Sequence, residues 1–229
     1  MPHLPAANPA PTAVFDLDGT LVDSVPDLAF CLNAVLAGRG LGPYARGEVA
    51  AMVGDGAPVL IARAFAGRGA VPDADAVAEY LERYTGRLAV DTVAYDGVAE
   101  ALDRLDRAGW VLAVCTNKPE AHARGVLAAL GLAGHFAAVG GGDSFPTRKP
   151  DPGHLAATIA AAGGNPALAV MVGDHANDLR AASGLGAPAI FALWGYSGPE
   201  TGESAASVAA SARDVPLIAA RLLGVALPG

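Results

Sequence analysis

The 229-residue chain carries a formal net charge of −8 and has only two cysteines, Cys31 and Cys115. The negative charge disfavours nucleic acid as a partner, and no apolar run is long enough to cross a bilayer. Two cysteines do not make a disulfide framework and fit a reducing cytoplasm. Hydrophobic residues make up 52% of the chain, so a large core can be buried, in one large domain or in a domain with an insert. Residues 1–11 lack a basic n-region and are predicted to be a short disordered lead, not a signal peptide.

The first predicted element is a short apolar strand over residues 13–15, which leads into Asp16 and Asp18. Side chains at i and i+2 of an extended chain point to the same side, so both carboxylates should emerge together at the carboxyl end of this strand. Open α/β sheets bind ligands at that end. Adjacent carboxylates repel unless a cation or a shared proton relieves them, which suits a hard metal ion, a nucleophile beside an acid/base, or both. Gly19 permits a sharp turn, and Thr20 offers a hydroxyl and an amide for an anion.

Residues 25–91 are predicted to be helical throughout, because they contain no convincing alternating strand. The predicted helices cover 26–36, 48–52, 57–65 and 73–88, the last with Asp73 as its N-cap. A glycine turn over 54–56 precedes the third helix, and Asp55 is expected to cap that helix. We therefore predict an all-helical cap domain, residues 24–92, inserted into a core formed by residues 1–23 and 93–229.

Strands and helices alternate after residue 95. Strands are predicted over 111–115, 136–139, 167–172 and 188–192, and helices over 98–105, 119–130, 151–162, 178–183 and 215–223. This alternation implies right-handed βαβ crossovers and a parallel sheet. The predicted fold class is α/β, a Rossmann-like three-layer core with a parallel sheet plus the inserted helical cap. The Ala- and Ser-rich tail after Gly198 leaves the existence of the last helix open.

Three further strand ends carry polar residues. Thr116 and Asn117 follow the second strand, and their hydroxyl and amide groups can hold phosphate oxygens. Lys149 lies after the third strand, where the next proline fixes the local turn. Asp174 and Asp178 follow the fourth strand and a glycine. Each feature alone also fits a helix N-cap or a solvated lysine.

Together, the strings DLDGTLVDS, TNKP, RKPDP and VGDHAND resemble, in this order, the four motifs of the haloacid-dehalogenase-like superfamily of aspartate-nucleophile phosphohydrolases. The resemblance implies that Asp16 is the nucleophile that becomes an aspartyl-phosphate and that Asp18 is the general acid and base. It implies further that Thr116 hydrogen-bonds the transferring phosphoryl group and that Lys149 stabilises both the nucleophile and that group. Such a two-step route suits phosphate monoesters, which hydrolyse extremely slowly without help.

The resemblance also implies a Mg²⁺ site. Asp174 would be a ligand, joined by the carboxylate of Asp16 and the backbone carbonyl of Asp18. Asp178 would support the site through the second shell or a water molecule. Hard oxygen ligands and the lack of a His/Cys cluster favour magnesium over zinc.

Within the superfamily, the strings MVGDGAPVLIARA, RKPDPGHL and GGNPALAVMVGD, with GYSG after them, resemble the phosphoglycolate phosphatases. That resemblance implies a cap that closes over a small phosphorylated acid such as 2-phosphoglycolate, releasing glycolate and phosphate. The turn Gly54, Asp55 and Gly56 would face the active site, and Arg63 would add charge there. His175 departs from the family pattern, which has a small residue at this position, and is interpreted as a spectator beside the pocket.

Two other functions remain open at this point. A phosphosugar mutase of the same superfamily shares Asp16 and Asp18, so the motifs do not exclude it. A non-catalytic interaction protein on this fold is less favoured, because all the polar parts are intact. A dehalogenase is disfavoured, because it needs no acid at position 18. The expected partner is a small phosphorylated metabolite, without nucleic acid or membrane, and the expected assembly is a monomer or homodimer.

Overall fold

The structure is a computed structural model that describes residues 10–227. The predicted disordered lead therefore lies outside the described residues, apart from its last two positions. None of the helices within 10–227 combines the length and the apolar character that crossing a bilayer requires.

A six-stranded parallel sheet forms the centre of the core, in the order β5-β4-β1-β6-β7-β8. Its strands are β1 (Thr12–Phe15), β4 (Val111–Cys115), β5 (Ala138–Gly140), β6 (Ala169–Gly173), β7 (Ala189–Ala192) and β8 (Ser207–Ala209). Strand β1 lies between β4 and β6 and is buried along its whole length. The chain therefore winds in both directions from β1, and the edge beyond β1 is the switch point where such sheets bind ligands.

Helices cover both faces of this sheet. They are α5 (Val98–Arg107), α6 (Glu120–Ala129), α7 (Pro152–Ala161), α8 (Ala176–Leu185) and α9 (Val215–Leu223). Helices α5, α6 and α9 share one apolar cluster with Phe15 and Val114, while α7 and α8 share another with Val14 and Cys115. Neighbouring strand residues thus face opposite layers, as the pleat requires. The prediction of a three-layer α/β core is confirmed.

Along the chain, a block of four helices lies between β1 and the remaining strands of the sheet. The helices are α1 (Val25–Ala37), α2 (Arg46–Ala50), α3 (Ala57–Ala66) and α4 (Ala76–Thr85), and they enclose an apolar cluster of their own. The chain enters and leaves this block through a small antiparallel ribbon of β2 (Val22–Asp23) and β3 (Val93–Ala94). The ribbon was not predicted, because two residues per strand are too few to show a pattern.

Asp27 ties the returning chain to α1. Its fully buried carboxylate accepts hydrogen bonds from the N–H groups of Asp91 and Thr92, at 2.9 and 2.8 Å, and from the Thr92 hydroxyl at 2.7 Å. It also pairs with the Nε of Arg87 at 2.8 Å. These contacts satisfy a buried charge that would otherwise be costly, and they hold both connections of the helical block together.

Several element boundaries differ from the predictions. Helix α4 starts at Ala76 and not at 73, because Asp73 pairs with Arg39 (Nε–Oδ2 2.6 Å) and is not an N-cap. Strand β5 is displaced toward the C-terminus, because a 3₁₀ turn over Ala133–His135 takes up the chain before it. The tail contributes the unpredicted strand β8, and α9 lies where the last helix was predicted.

Candidate active site

Asp16 lies at the centre of the ligand-binding edge, directly after β1. Its N–H donates to the carbonyl of Val172 at 2.9 Å, so the backbone is fixed by the neighbouring strand. Its Oδ1 accepts from the N–H of Leu17 at 2.7 Å and pairs with the ammonium of Lys149 at 2.9 Å. Its Oδ2 makes no hydrogen bond to any residue within 10–227, and Asp16 lines a pocket. The two oxygens are therefore inequivalent, one held and one available.

Lys149 connects this carboxylate to the fourth motif. Its ammonium is 2.9 Å from Asp16 Oδ1 and 2.6 Å from Asp178 Oδ1, and its side chain is fully buried. Burial favours the neutral amine, but the carboxylates of Asp16 and Asp178 outweigh it, so the pKa of Lys149 is raised. The lysine is thus a fixed positive charge beside the candidate nucleophile, close to the carboxylates as the sequence suggested.

Asp174 is held by the loops on either side of it. Its Oδ1 accepts from the hydroxyl of Thr20 at 2.9 Å, and its Oδ2 accepts from the N–H of Tyr196 at 2.8 Å. A Cβ on Gly19, where φ is +86°, would lie 2.3 Å from Oδ2 of Asp174, and one on Gly195 would lie 2.2 Å from the Asp174 Cβ, so both positions require glycine. The Thr20 N–H donates to Leu17 O at 3.3 Å, so both Thr20 donors are occupied within the protein. This removes the basis for predicting that they bind an anion.

Asp16, Asp174 and Asp178 each place a carboxylate oxygen within 4.8 Å of the others. All three are buried, and Lys149 supplies one positive charge against them. Burial, together with the charge of Asp16, raises the pKa of Asp174 to about 7, and burial likewise raises the pKa of Asp178. An excess of buried negative charge and a set of oxygen donors fit a hard divalent cation. Asp178 is already engaged, since Lys149 binds its Oδ1 and the N–H of His175 donates to its Oδ2 at 3.0 Å.

Asp18 lines the same pocket as Asp16 but has different partners. Its Oδ1 accepts from the hydroxyl of Ser24 at 2.5 Å. Its Oδ2 lies 2.9 Å from the ammonium of Lys118. The Asp18 carboxylate is therefore directed toward the side of the pocket that the helical block covers, and not into the cluster of three acids.

The second motif contributes one residue that was not predicted as part of the site. Thr116 lines the pocket and its hydroxyl accepts from the N–H of Lys118 at 3.3 Å. Asn117 donates through Nδ2 to the carbonyls of Gly54, at 2.9 Å, and Lys149, at 3.0 Å, so its side chain joins the core to the helical block. Lys118 is the missed residue. It is buried, and its ammonium lies 4.5 Å from the centre of the Tyr84 ring. Only the string TNKP signalled it, and that string does not indicate where a long side chain points.

The turn before α3 rests on the core. Gly54 has φ +123°, and a Cβ there would lie 2.6 Å from Cδ2 of His175. Asp55 accepts from Asn177 Nδ2 at 2.7 Å and pairs with Arg63 at 2.6 Å. The expectation that Asp55 caps α3 is therefore wrong, since the N-cap is Gly56 and Asp55 bonds across to the core instead.

Arg63 and His175 also differ from expectation in their placement. Arg63 is half-exposed, is paired with Asp55 and donates to the carbonyl of Met52 at 3.1 Å, so its guanidinium does not line the pocket. His175 is the N-cap of α8, where its Nδ1 accepts from the N–H of Asn177 at 3.2 Å. Burial lowers its pKa, which favours the neutral ring. The ring packs against Gly54, so His175 supports the turn and is not a mere spectator.

One pocket joins the core residues to the helical block. The block contributes mainly apolar and aromatic residues to its wall, namely Leu28, Val53, Gly54, Gly56, Ala57, Leu60, Tyr80, Leu81 and Tyr84. The core contributes Asp16, Asp18, Thr116, Asn117, Lys118, Pro119 and His122. The core thus contributes most of the polar groups of the wall and the block most of the apolar ones, which is the usual composition of a site for a small molecule.

Comparison with known proteins identifies the class. The family model for haloacid dehalogenase-like hydrolases matches residues 10–186, and the chain belongs to this family. A phosphoglycolate phosphatase from Agrobacterium fabrum is 43% identical over 192 residues, covering 82% of each chain. A second, from Rhodospirillum rubrum, is 44% identical over 192 residues and 80% of each chain. The chain is thus an enzyme of the phosphatase kind, similar to phosphoglycolate phosphatases, as its motifs predicted.

Solved structures agree with the fold. A predicted phosphoglycolate phosphatase from Haemophilus somnus superimposes with a TM-score of 0.85 at 30% identity, covering 93% of this chain and 99% of that one. CbbY from Rhodobacter sphaeroides in complex with phosphate gives a TM-score of 0.78 at 24% identity, over 90% of this chain and 96% of that one, and shows the fold alone.

Proposed function

We propose that the chain is a Mg²⁺-dependent phosphomonoester hydrolase that acts through an aspartyl-phosphate on Asp16, with 2-phosphoglycolate as its substrate. The observation that carries this proposal is the asymmetry of the Asp16 carboxylate. Lys149 and the Leu17 N–H hold Oδ1, while Oδ2 is left without a hydrogen bond within 10–227, and Asp16 and Asp18 line the same pocket. A nucleophile, an acid/base and a fixed cation are thus present in one small site.

In the first step, Asp16 Oδ2 attacks phosphorus and the bond between phosphorus and the ester oxygen breaks. Asp18 transfers its proton to the departing oxygen, so the leaving group departs as a neutral alcohol. Lys149, already beside Asp16, offsets the charge on the phosphoryl oxygens, and the Thr116 hydroxyl donates to one of them.

In the second step, Asp18 acts in the opposite sense. Its carboxylate takes a proton from a water molecule, whose oxygen attacks phosphorus while the bond between phosphorus and Asp16 breaks. Inorganic phosphate leaves, Asp16 is regenerated as a carboxylate, and Asp18 holds the proton for the next cycle. The Ser24 hydroxyl, 2.5 Å from Asp18 Oδ1, keeps the carboxylate in place through both steps.

The cluster of three buried acids supports a cation site. Asp16 and Asp174 would hold Mg²⁺ directly, with the Asp18 carbonyl, and Asp178 would support it through water or through Lys149. The bound ion would neutralise charge on the phosphoryl group.

Residues 24–92 are proposed to act as the cap that excludes water from this chemistry. The contacts of Asn117 and Asn177 with the turn at Gly54 support this, because they join the block to the core beside the pocket. The names of the relatives support 2-phosphoglycolate as the substrate. Two buried free cysteines and a small metabolite as substrate support a cytoplasmic location.

The test is phosphate release from a panel of phosphorylated metabolites with Mg²⁺, for wild type and Asp16→Asn. The variant should lose at least about a thousandfold in kcat, because no covalent intermediate can form. Asp103→Asn, which removes an exposed carboxylate on α5, is the matched control and should behave as wild type. A folded Asp16→Asn protein that keeps most of its activity would contradict the assignment. Isomerisation of a glucose phosphate without phosphate release would favour the mutase instead.

A further inference from the structure

The wall of the pocket contains a buried cation that the phosphoryl chemistry does not use. Lys118 has a side chain only 6% exposed, and its ammonium lies 2.9 Å from Asp18 Oδ2. The ring of Tyr84, from helix α4, faces the ammonium at 4.5 Å, so the lysine is enclosed between the core and the helical block. Buried lysines are almost always paired, and here the partner is Asp18, while Lys118 also lines the pocket.

Among the described residues that line this pocket, Lys118 is the one permanent positive charge. Lys149 is turned away toward Asp16 and Asp178, and Arg63 is paired with Asp55 outside the lining. The part of the wall that the helical block contributes is mainly apolar or aromatic, so the attraction between this ammonium and a bound anion is weakly screened.

Two tyrosines of helix α4, one of them against Lys118, form the aromatic part of this wall. Tyr80 and Tyr84 are buried, line the pocket and stack with ring centres 6.3 Å apart. The Tyr84 hydroxyl interacts with the Lys118 ammonium, which adds to the contact of that ammonium with the ring.

We propose that Lys118 binds the carboxylate of the substrate and thereby selects phosphorylated acids over neutral phosphate esters, an inference that rests on the proposed phosphatase function. Asp18 lies beside the ester oxygen that it protonates, and Lys118 contacts Asp18 directly. In a 2-phospho acid, one carbon separates that ester oxygen from the carboxyl carbon. A carboxylate on this carbon therefore reaches the ammonium of Lys118 while phosphorus stays at Asp16.

The test compares two substrates, 2-phosphoglycolate and 2-hydroxyethyl phosphate, which differ only in carrying a carboxylate or a neutral hydroxymethyl group at the end away from the phosphate. The readout is the ratio of their kcat/KM values, so that any effect of Lys118 on Asp18 cancels. Wild type should strongly prefer the acid. In Lys118→Met the ratio should fall by roughly ten- to a hundredfold, as expected when a charge-assisted contact is lost. Lys118→Arg should keep most of the preference, and Arg124→Met, an exposed cation on α6, should leave the ratio unchanged.

Calorimetric binding of both compounds in an Asp16→Asn background gives a second measurement that needs no turnover, and Lys118→Gln replaces Lys118→Met if the latter does not fold. A preference that survives both Lys118→Met and Lys118→Gln overturns the inference, as does a wild type that favours the neutral ester. A wild type inactive on both substrates contradicts the proposed hydrolysis instead, and the binding comparison then still decides the role of Lys118.

Discussion

Gly54→Ala tests whether the contact between the helical block and the core controls activity, as distinct from a general loss of stability. The added Cβ would lie 2.6 Å from the His175 ring and 2.7 Å from its Nε2, and φ at this position is +123°. The ring is fixed as the N-cap of α8, so the turn has to move away. Moving it weakens the hydrogen bonds from Asn117, at 2.9 Å, and Asn177, at 3.4 Å, to the Gly54 carbonyl. Each hydrogen bond contributes about 0.5–1.5 kcal/mol, so the variant should lose about 1–3 kcal/mol of the free energy that holds the turn against the core.

That free energy corresponds to a decrease of roughly five- to 150-fold in kcat/KM for 2-phosphoglycolate, if closure of the pocket limits binding of the transition state. Nitrophenyl phosphate, which needs less from the helical block, should lose less. The assay is steady-state kinetics with both substrates, together with thermal unfolding. The glycine at position 54 makes room for the His175 ring.

Gly40→Ala is the matched control. Gly40 also lies in the helical block with a positive φ, +69°, but a Cβ there meets nothing within 4 Å. It should lose about 1–2 kcal/mol of stability from backbone strain while keeping its kinetics. If Gly54→Ala and Gly40→Ala show the same kinetics for 2-phosphoglycolate, the packing of the turn on His175 does not control the pocket, and the reasoning fails.

Two further predictions concern individual aspartates. Asp18→Asn should lower release of a poor leaving group, such as glycolate, by about 10²–10⁴-fold and release of nitrophenol much less, because only the former needs a proton. Pre-steady-state measurement of both alcohols checks this, and equal losses would argue against the acid role. Mg²⁺ at about a hundred times its dissociation constant should stabilise the wild type by about 2.7 kcal/mol, or about 5–11 °C in Tm. Asp174→Asn should abolish that increase, whereas a full Mg²⁺ response in the variant would place the cation elsewhere.

The sheet and its polar edge were predictable because they depend on local pattern. Buried runs such as 111–115 and 169–173 are cut off by polar residues, and parallel strands bring their carboxyl ends together. Asp16, Asp18, Thr116 and Lys149 therefore had to approach one another once the strand order was set. The small displacements of β5 and α4 came from a 3₁₀ turn and from an ion pair, neither of which has a periodic signature.

The contacts between the block and the core could not be predicted from the sequence. Asp55 could equally cap a helix next to it or bond to Asn177, 122 positions away, and only the packed structure selects the second. The sequence also could not show that Arg63 does not line the pocket, because this depends on its ion pair with Asp55. Lys118 was missed for a different reason. It lies within the TNKP motif, but the direction of its long flexible side chain depends on Asp18 and Tyr84, which come from distant parts of the chain.

The β2–β3 ribbon has a consequence for how such proteins diversify. Asp23 and Val93 are paired across the ribbon, and paired residues of antiparallel strands lie about 4.5–5.5 Å apart. The entire helical block therefore departs and returns through a gap that a single peptide unit nearly bridges. A segment attached in this way can be lengthened, shortened or exchanged for another without altering the sheet. The part of the pocket wall that the block contributes can then diverge while the residues of the core are inherited unchanged.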